Sequence, residues 1–257
     1  MGRNLVLIKL GGSVITFKEK PLAANFEAIN NISRMLASLK IPLIVVHGGG
    51  SFGHYLSIKY DIHTRPDQYD PHGVSVVHES MIALNQIIVD SMISVGMNPY
   101  AIMPSIFTLD HRPIARKIRE LQYFTEDNIT PITFGDVVQV KNRMYSIISG
   151  DELMSILSKI LRPSKVIFTL NVDGIYKDMD KKEVLKELNN NNNSINFSTV
   201  VQDVTGGMRR KVVEALKICG TGIDVLMVNG LKPERVANAI TGTDFEGTML
   251  KGWRSGK

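Results

Sequence analysis

The stretch Leu43-Ile44-Val45-Val46-His47-Gly48-Gly49-Gly50-Ser51-Phe52-Gly53-His54 reads as a buried strand that runs into a glycine-rich turn and opens a helix. Its continuous apolar run suits a strand covered on both faces. The glycines let backbone approach a ligand closely and present N–H groups to an anion. The same arrangement occurs earlier, where Leu5 to Ile8 leads into Lys9-Leu10-Gly11-Gly12-Ser13. Between the two, residues 26–39 carry Phe26, Ile29, Ile32, Leu36 and Leu39 at helical spacing. Strand, helix and strand in this order predict an α/β fold: three α/β/α layers around a mainly parallel open sheet.

Working outward, further strand-like runs are Tyr100 to Met103, Val166 to Leu170 and Val225 to Val228. Residues 79–95 read as an apolar helix with Met81, Leu84, Ile88, Met92 and Val95 on one face. Residues 151–161 read as another, with Leu153, Ile156, Leu157, Ile160 and Leu161 inward. It should end at Arg162, because Pro163 disfavours helix in the residue before it. Between Thr130 and Ile148 shorter strands are expected, joined by a turn at Lys141, Asn142 and Arg143. The run Asn189 to Asn193 reads as a solvated loop without function. A boundary near Leu161 to Lys165 would divide the chain into lobes 1–161 and 162–257.

The 257 residues are 44% hydrophobic and 21% charged, ordinary for a globular enzyme. No apolar run reaches the roughly 20 residues that span a bilayer. The first ten residues lack the pattern of a signal peptide, so a cytoplasmic protein with no membrane partner is expected. The single cysteine, Cys219, fits a reducing compartment and reads as a small residue packed on a helix. The net charge of +5 is spread along the chain. Its clusters, Arg112, Arg116, Lys117 and Arg119 and then Arg209, Arg210 and Lys211, are short and without interleaved aromatics. That argues against nucleic acid and for small phosphorylated molecules.

In an open parallel sheet, ligands bind beyond the carboxyl ends of the strands. Lys9 is a point charge at such an end, with Lys18 a few residues on. Gly48, Gly50 and Gly53 formally satisfy G-x-G-x-x-G, but that motif needs an acid at a following strand end. Here the corresponding zone is a loop from Arg65 to Gly73 whose Asp67 and Asp70 lie on no strand. A phosphate-binding turn remains, with His54 on the first turn of its helix. His47 is open to a structural or a functional reading. A third turn, Thr205-Gly206-Gly207-Met208-Arg209-Arg210-Lys211, again puts glycines before a helix; no P-loop motif occurs. Asp151, after Ser149-Gly150, reads equally as a first-turn carboxylate or as an organiser of the lysines.

KLGGS, HGGG, GDE opening a helix, VDGIY (Val172 to Tyr176) and TGGM with a lysine three residues later occur here in that order. Together they resemble the amino-acid kinase family over nearly the whole chain. Within it, Ser51-Phe52-Gly53-His54 and the placing of Lys18 resemble the branch that phosphorylates isopentenyl phosphate to isopentenyl diphosphate in an archaeal-type mevalonate pathway.

The resemblance implies ATP with Mg²⁺, and a homodimer. It implies that Lys9, Gly11, Gly12, Ser13 and Gly50 hold the ATP phosphates and that Lys18 stabilises the transferring phosphoryl group. Gly49, His54 and Gly150 would hold the acceptor's phosphate, and Asp151 would orient Lys9 and Lys18. Asp173, Tyr176, Asp178, Gly207 and Lys211 would line the nucleotide site, and a helix beginning near Gly73 would supply an apolar tail pocket through Val74, Val77 and Met81. No metal-ligating side chain is assigned. Relatives commonly carry an acid where this chain has Asn171. The competing readings are a kinase of another small anion, such as a fosfomycin-like phosphonate, and a nucleotide-binding regulator without catalysis.

Overall fold

The computed structural model describes residues 4–64, 69–141, 144–178, 183–188 and 206–253. The chain opens with β1 (Val6–Leu10), α1 (Gly12–Ile15), α2 (Phe26–Leu39), β2 (Leu43–His47), α3 (Gly50–Lys59) and α4 (Pro71–Ser94). It continues through β3 (Pro99–Ala101), β4 (Thr108–Leu109), β5 (Arg112–Pro113), α5 (Ala115–Glu126), β6 (Thr130–Phe134), β7 (Asp136–Gln139) and β8 (Tyr145–Ile148). Then come α6 (Gly150–Leu161), β9 (Lys165–Leu170), β10 (Tyr176–Asp178), β11 (Glu183–Val184) and β12 (Glu187–Leu188). Last are α7 (Gly206–Cys219), β13 (Val225–Asn229), α8 (Pro233–Thr241) and β14 (Gly247–Leu250).

Eight strands form one sheet in the order β12-β14-β13-β9-β1-β2-β6-β3. Every pairing in it is parallel except β13 with β14. The central strands are apolar throughout because both faces are covered. Val6, Ile8 and Leu10 pack with α1, α2, α4 and α8 on one side. Leu5 and Leu7 pack with α5, α6 and α7 on the other. This is the expected three-layer architecture. The chain leaves β1 toward β2 in its first half and adds β9 to the opposite edge of β1 later. That reversal beside β1 is a topological switch point, where such sheets leave a crevice for ligands.

Local signals set most boundaries. α2 spans the expected residues, with the Asn25 side chain accepting from Ala28 N–H as its cap. α6 ends with Arg162 in the left-handed region before Pro163. α4 begins at Pro71, eight residues before the apolar stretch read from 79 and close to the start near Gly73 that the resemblance implies, because Asp70 caps it and Pro71 fits its first turn. The strand expected at Tyr100 to Met103 closes earlier, at Ala101, and Pro104 opens a short 3-10 turn. Residues Asn142 and Arg143 of the expected turn, and the run Asn189 to Asn193, lie outside the described residues.

Candidate active site

The loops after β1, β2 and β9 and the N-terminal ends of α6 and α7 meet at the crevice. Lys9, at the end of β1, is flanked in register by Val46 of β2 and Phe168 of β9. Its side chain is buried, and its Nζ lies 2.8 Å from Asp151 Oδ1. Ser149, not Asp151, caps α6, its hydroxyl accepting from Glu152 N–H. Asp151 is thereby free to face Lys9. Burial alone would raise the Asp151 pKa, but Lys9, Lys211 and Arg210 outweigh it and hold the carboxyl below its ordinary value.

The glycines fit this space because side chains would fill it. A Cβ on Gly150 would lie 2.8 Å from His47 O and 3.1 Å from Lys9 Cε. Gly50 has φ +47, and a Cβ there would lie 2.1 Å from Thr16 Oγ1. Gly12 and Gly50 therefore press backbone against backbone, making a narrow cradle, and the Lys9 side chain lies beside the adjoining Gly48 and Gly150. The Thr16 hydroxyl holds the two turns together, donating to Gly12 O at 2.7 Å and accepting from Ser51 N–H at 2.9 Å. On the other flank Gly11 N–H donates to Thr169 Oγ1, and Ser13 Oγ to Asn171 Oδ1.

Lys211, in the second turn of α7, extends back so that its Nζ donates to Gly207 O at 3.3 Å. Burial first, then the charge of Lys9, brings its pKa down to about 8; Asp151 opposes, while Arg210 and Lys18 add to the lowering. His54 stands exposed on α3. Its pKa is lowered by the surrounding protein, then by Arg210, Lys211 and Lys9, with Asp151 opposing. The sequence-predicted residues Lys9, His54, Asp151 and Lys211 thus share one electrostatic neighbourhood. Lys18 lies exposed on the turn after α1. Its charge reaches Lys211, but the second lysine acting on Asp151 is Lys211 rather than Lys18.

The expected nucleotide-side residues divide. Asp173 accepts from Asn229 Nδ2 at 2.8 Å and from Arg235 Nη1 at 2.7 Å. The Asn229 hydrogen bond first, then Arg235 and Lys232 against partial burial, lowers its pKa. Arg235 also pairs with Glu246. Tyr176 and Asp178 sit on β10, paired with β11. Gly207 has open space where a Cβ would point. Among the described residues no group of three or more His, Cys, Asp or Glu side chains is placed to hold a metal ion.

On the acceptor side, a Cβ on Gly49 would meet Met81 Sδ at 3.1 Å, so Met81 backs the turn directly. Val77 is buried with Leu56, Ile62 and Val137, and Val74 packs half-buried against the same cluster. His47 is a core residue: buried, stacked 5.2 Å from Phe134 and bonded to Asn85. Burial takes its pKa to about 4. Cys219 is likewise buried, donating to Leu250 O. Arg210 acts on His54, Asp151 and Lys211, yet in the sequence it stands out only as part of a short basic cluster. Its signal was its place beside Lys211. Nothing in the sequence marked Thr169, or the His78–Asp136 contact of 2.7 Å that ties α4 to β7.

A sequence model of the amino acid kinase family matches residues 4–229. The isopentenyl phosphate kinase of Thermoplasma acidophilum is 32% identical, covering 96% of this chain and 100% of the relative. That of Methanothermobacter thermautotrophicus is 30% identical, covering 96% and 99%. The crystal structure of the T. acidophilum enzyme as a product complex superposes with a TM-score of 0.78 at 30% identity, covering 96% of this chain and 100% of that one.

Proposed function

The chain belongs to the amino acid kinase family, and we propose that it transfers the terminal phosphoryl group of ATP to isopentenyl phosphate, giving isopentenyl diphosphate. The observation that carries this reading is the glycine cradle next to the buried Lys9–Asp151 pair, with His54 in the same electrostatic neighbourhood. The similarity to isopentenyl phosphate kinases across nearly the whole chain supports the choice of acceptor.

A phosphate monoester has its second pKa near ~6 and is already a dianion at neutral pH. Its oxygen can attack the γ-phosphorus without a strong general base, as the bond to the β,γ-bridging oxygen breaks and ADP leaves with the electron pair. The obstacle is repulsion between anions and the need for an in-line approach. Lys9, Lys18, Arg210 and Lys211 against Asp151 leave the crevice strongly positive. Lys9 and the backbone of Gly11, Gly12, Ser13 and Gly50 would hold the ATP phosphates. Lys18, on its exposed turn, would reach the transferring group. His54, with Gly49 and Gly150, would hold the acceptor phosphate.

The cradle fits a polyphosphate, since close backbone is what a Cβ would block. Mg²⁺ would arrive on the nucleotide phosphates and supply further charge neutralisation. Tyr176, Gly207 and Lys211 would line the nucleotide side, with Asp173 and Asp178 beyond. Val74, Val77 and Met81 would back the isoprenoid tail. In this reading lobe 1–161 binds the acceptor and lobe 162–257 the nucleotide, and the enzyme works as a cytoplasmic homodimer.

The test is ADP release with MgATP and a panel of isopentenyl phosphate, dimethylallyl phosphate, fosfomycin, N-acetylglutamate, carbamate and UMP, the product read by ³¹P NMR. Preference for isopentenyl phosphate with a diphosphate signal is expected. Turnover with another acceptor alone would sink the isoprenoid assignment.

A further inference from the structure

α6 and α7 bring their N-terminal ends to the crevice and share one apolar cluster, with Met154 and Leu157 of α6 and Val212 and Ala215 of α7 among its members. Apolar contact is non-directional and fixes the sliding of one helix along another only loosely. Within this contact stands a polar tie. Ser155 Oγ donates to Glu214 Oε2 at 2.7 Å and to Glu214 O at 3.1 Å. The Glu214 side chain is only 10% exposed, and its other oxygen accepts from Lys217 Nζ at 2.6 Å. A buried charge of this kind adds little net stability, and its best-attested use is to fix register.

Spacing links the tie to the crevice. Ser155 is four residues after Asp151, and Glu214 is four after Arg210 and three after Lys211. Side chains so spaced share one face of a helix. The tie therefore lies one turn from the residues through which Arg210 and Lys211 act on Asp151 and His54. Sliding α7 by one residue would move both cations by about 1.5 Å. Misplacement of about 1 Å can cost about 10² in rate.

We propose that Glu214 is a positioning residue: held by Ser155, it sets the register of α7 on α6 and so keeps Arg210 and Lys211 beside Asp151 and His54. This role rests on the reading of the crevice as a phosphoryl-transfer site.

The titration of His54 in the unliganded full chain reads that register, followed by NMR of the imidazole and identified by its loss in His54→Asn. Withdrawal of positive charge raises a histidine pKa. Ser155→Ala changes no charge, so its effect on His54 is geometric, and the titration should move up. Glu214→Ala separates two causes by sign. Loss of the carboxylate alone would move the His54 titration down; release of α7 moves it up, and up is expected. Glu214→Gln still offers Ser155 an acceptor and should titrate near the wild type. Turnover with MgATP and isopentenyl phosphate should fall by about 10-fold in Ser155→Ala and by less in Glu214→Gln.

A lower melting temperature of Ser155→Ala with an unmoved His54 titration would overturn the proposal and leave a contact that only stabilises. A downward shift in Glu214→Ala would overturn it too. Ser155→Ala decides alone where Glu214→Ala does not fold. Upward shifts together with a failed acceptor panel would uphold the register and remove isopentenyl phosphate alone.

Discussion

The Lys9 ammonium and the Asp151 carboxylate meet 2.8 Å apart with both side chains out of water. A buried pair is a weak source of net stability but a severe loss when halved, about 3–5 kcal/mol, because one charge is left uncompensated. Its value here lies in where it fixes the ammonium, beside Gly48 in the glycine turn after β2. Asp151→Ala should therefore lower stability by about that much in urea unfolding and lower turnover as well. Replacing both partners, as in Lys9→Met with Asp151→Leu, should recover most of the stability and none of the activity. The sign with pH follows from the lowered Asp151 pKa. The folded carboxyl holds its proton less tightly than the unfolded one, so the contribution is present above the ordinary carboxylate value and lost as pH falls through the folded value. Wild type and Asp151→Asn should converge in stability on acidification.

Lys211 shows the opposite balance. Its pKa falls from 10.5 to about 8, so the unfolded chain binds more protons over that window and stability rises with pH across it. Below about pH 8 the folded protein carries the full cost of a charge crowded by burial and by Lys9. Lys211→Met should raise the melting temperature of the unliganded protein at pH 7, and the advantage should narrow as pH climbs from 8 toward 10.5. The same variant should bind ATP poorly. A site held at the expense of stability is common where function needs like charges together. Melting curves at several pH values, paired with ATP titrations, check both halves.

The layers of the fold were legible because both signals were local: apolar runs of strand length, and helical spacing such as Ile29, Ile32 and Leu36. The glycine turns and Lys9 were legible for the same reason, since each motif is contiguous. Pairings across the chain were not. Ser13 with Asn171 depends on which strands lie beside β1; Lys9 with Asp151 was in reach only through the family resemblance, since the residues alone left Asp151 open between two roles. The resemblance implied Lys18 as the second lysine held by Asp151, whereas the lysine that acts on it beside Lys9 is Lys211. His47 was ambiguous until Phe134 and Asn85 were seen around it. Val77 and Met81 had helical spacing, which cannot separate a pocket wall from plain core; both are buried.

Lys18 offers a clean separation of catalysis from folding. It is exposed on the turn after α1. Surface substitutions of this kind usually change stability by less than about 0.5 kcal/mol. Loss of one donor to a developing charge typically costs on the order of 10²–10³ in rate. Lys18→Ala should therefore melt like the wild type and turn over about 10²–10³ more slowly. Near wild-type turnover would remove Lys18 from the transfer step.

Gly50 tests the cradle itself. Its φ of +47 is left-handed, and a Cβ would sit 2.1 Å from Thr16 Oγ1. The backbone conformation alone costs a non-glycine residue about 1–3 kcal/mol. The overlap adds to this, because Thr16 is held by Gly12 O and Ser51 N–H. Gly50→Ala should be more destabilising than that range, and Thr16→Ala should relieve the overlap with Thr16 but not the one with Gly12 O at 2.7 Å. A double-mutant cycle in urea therefore should show coupling between the two positions. Simple additivity would mean that the turns move apart easily and that the cradle is not rigid.

His54 should couple acceptor binding to proton uptake. Its pKa is lowered by the surrounding protein and by Arg210, Lys211 and Lys9, so the unliganded imidazole is neutral at pH 7. A phosphate dianion arriving beside it cancels those positive charges and favours the imidazolium, raising the pKa. Binding of isopentenyl phosphate should then draw a fraction of a proton from solution, seen as a dependence of the calorimetric heat on buffer ionisation enthalpy. The acceptor titrates too, so the informative quantity is the difference between the wild type and His54→Asn, which keeps an N–H donor but cannot take a proton. Wild type should take up more protons than His54→Asn at the same pH, and His54→Ala should lose about 10²–10³ in rate. Equal proton uptake in wild type and His54→Asn would mean that the acceptor's phosphate lies elsewhere in the crevice, away from this ring.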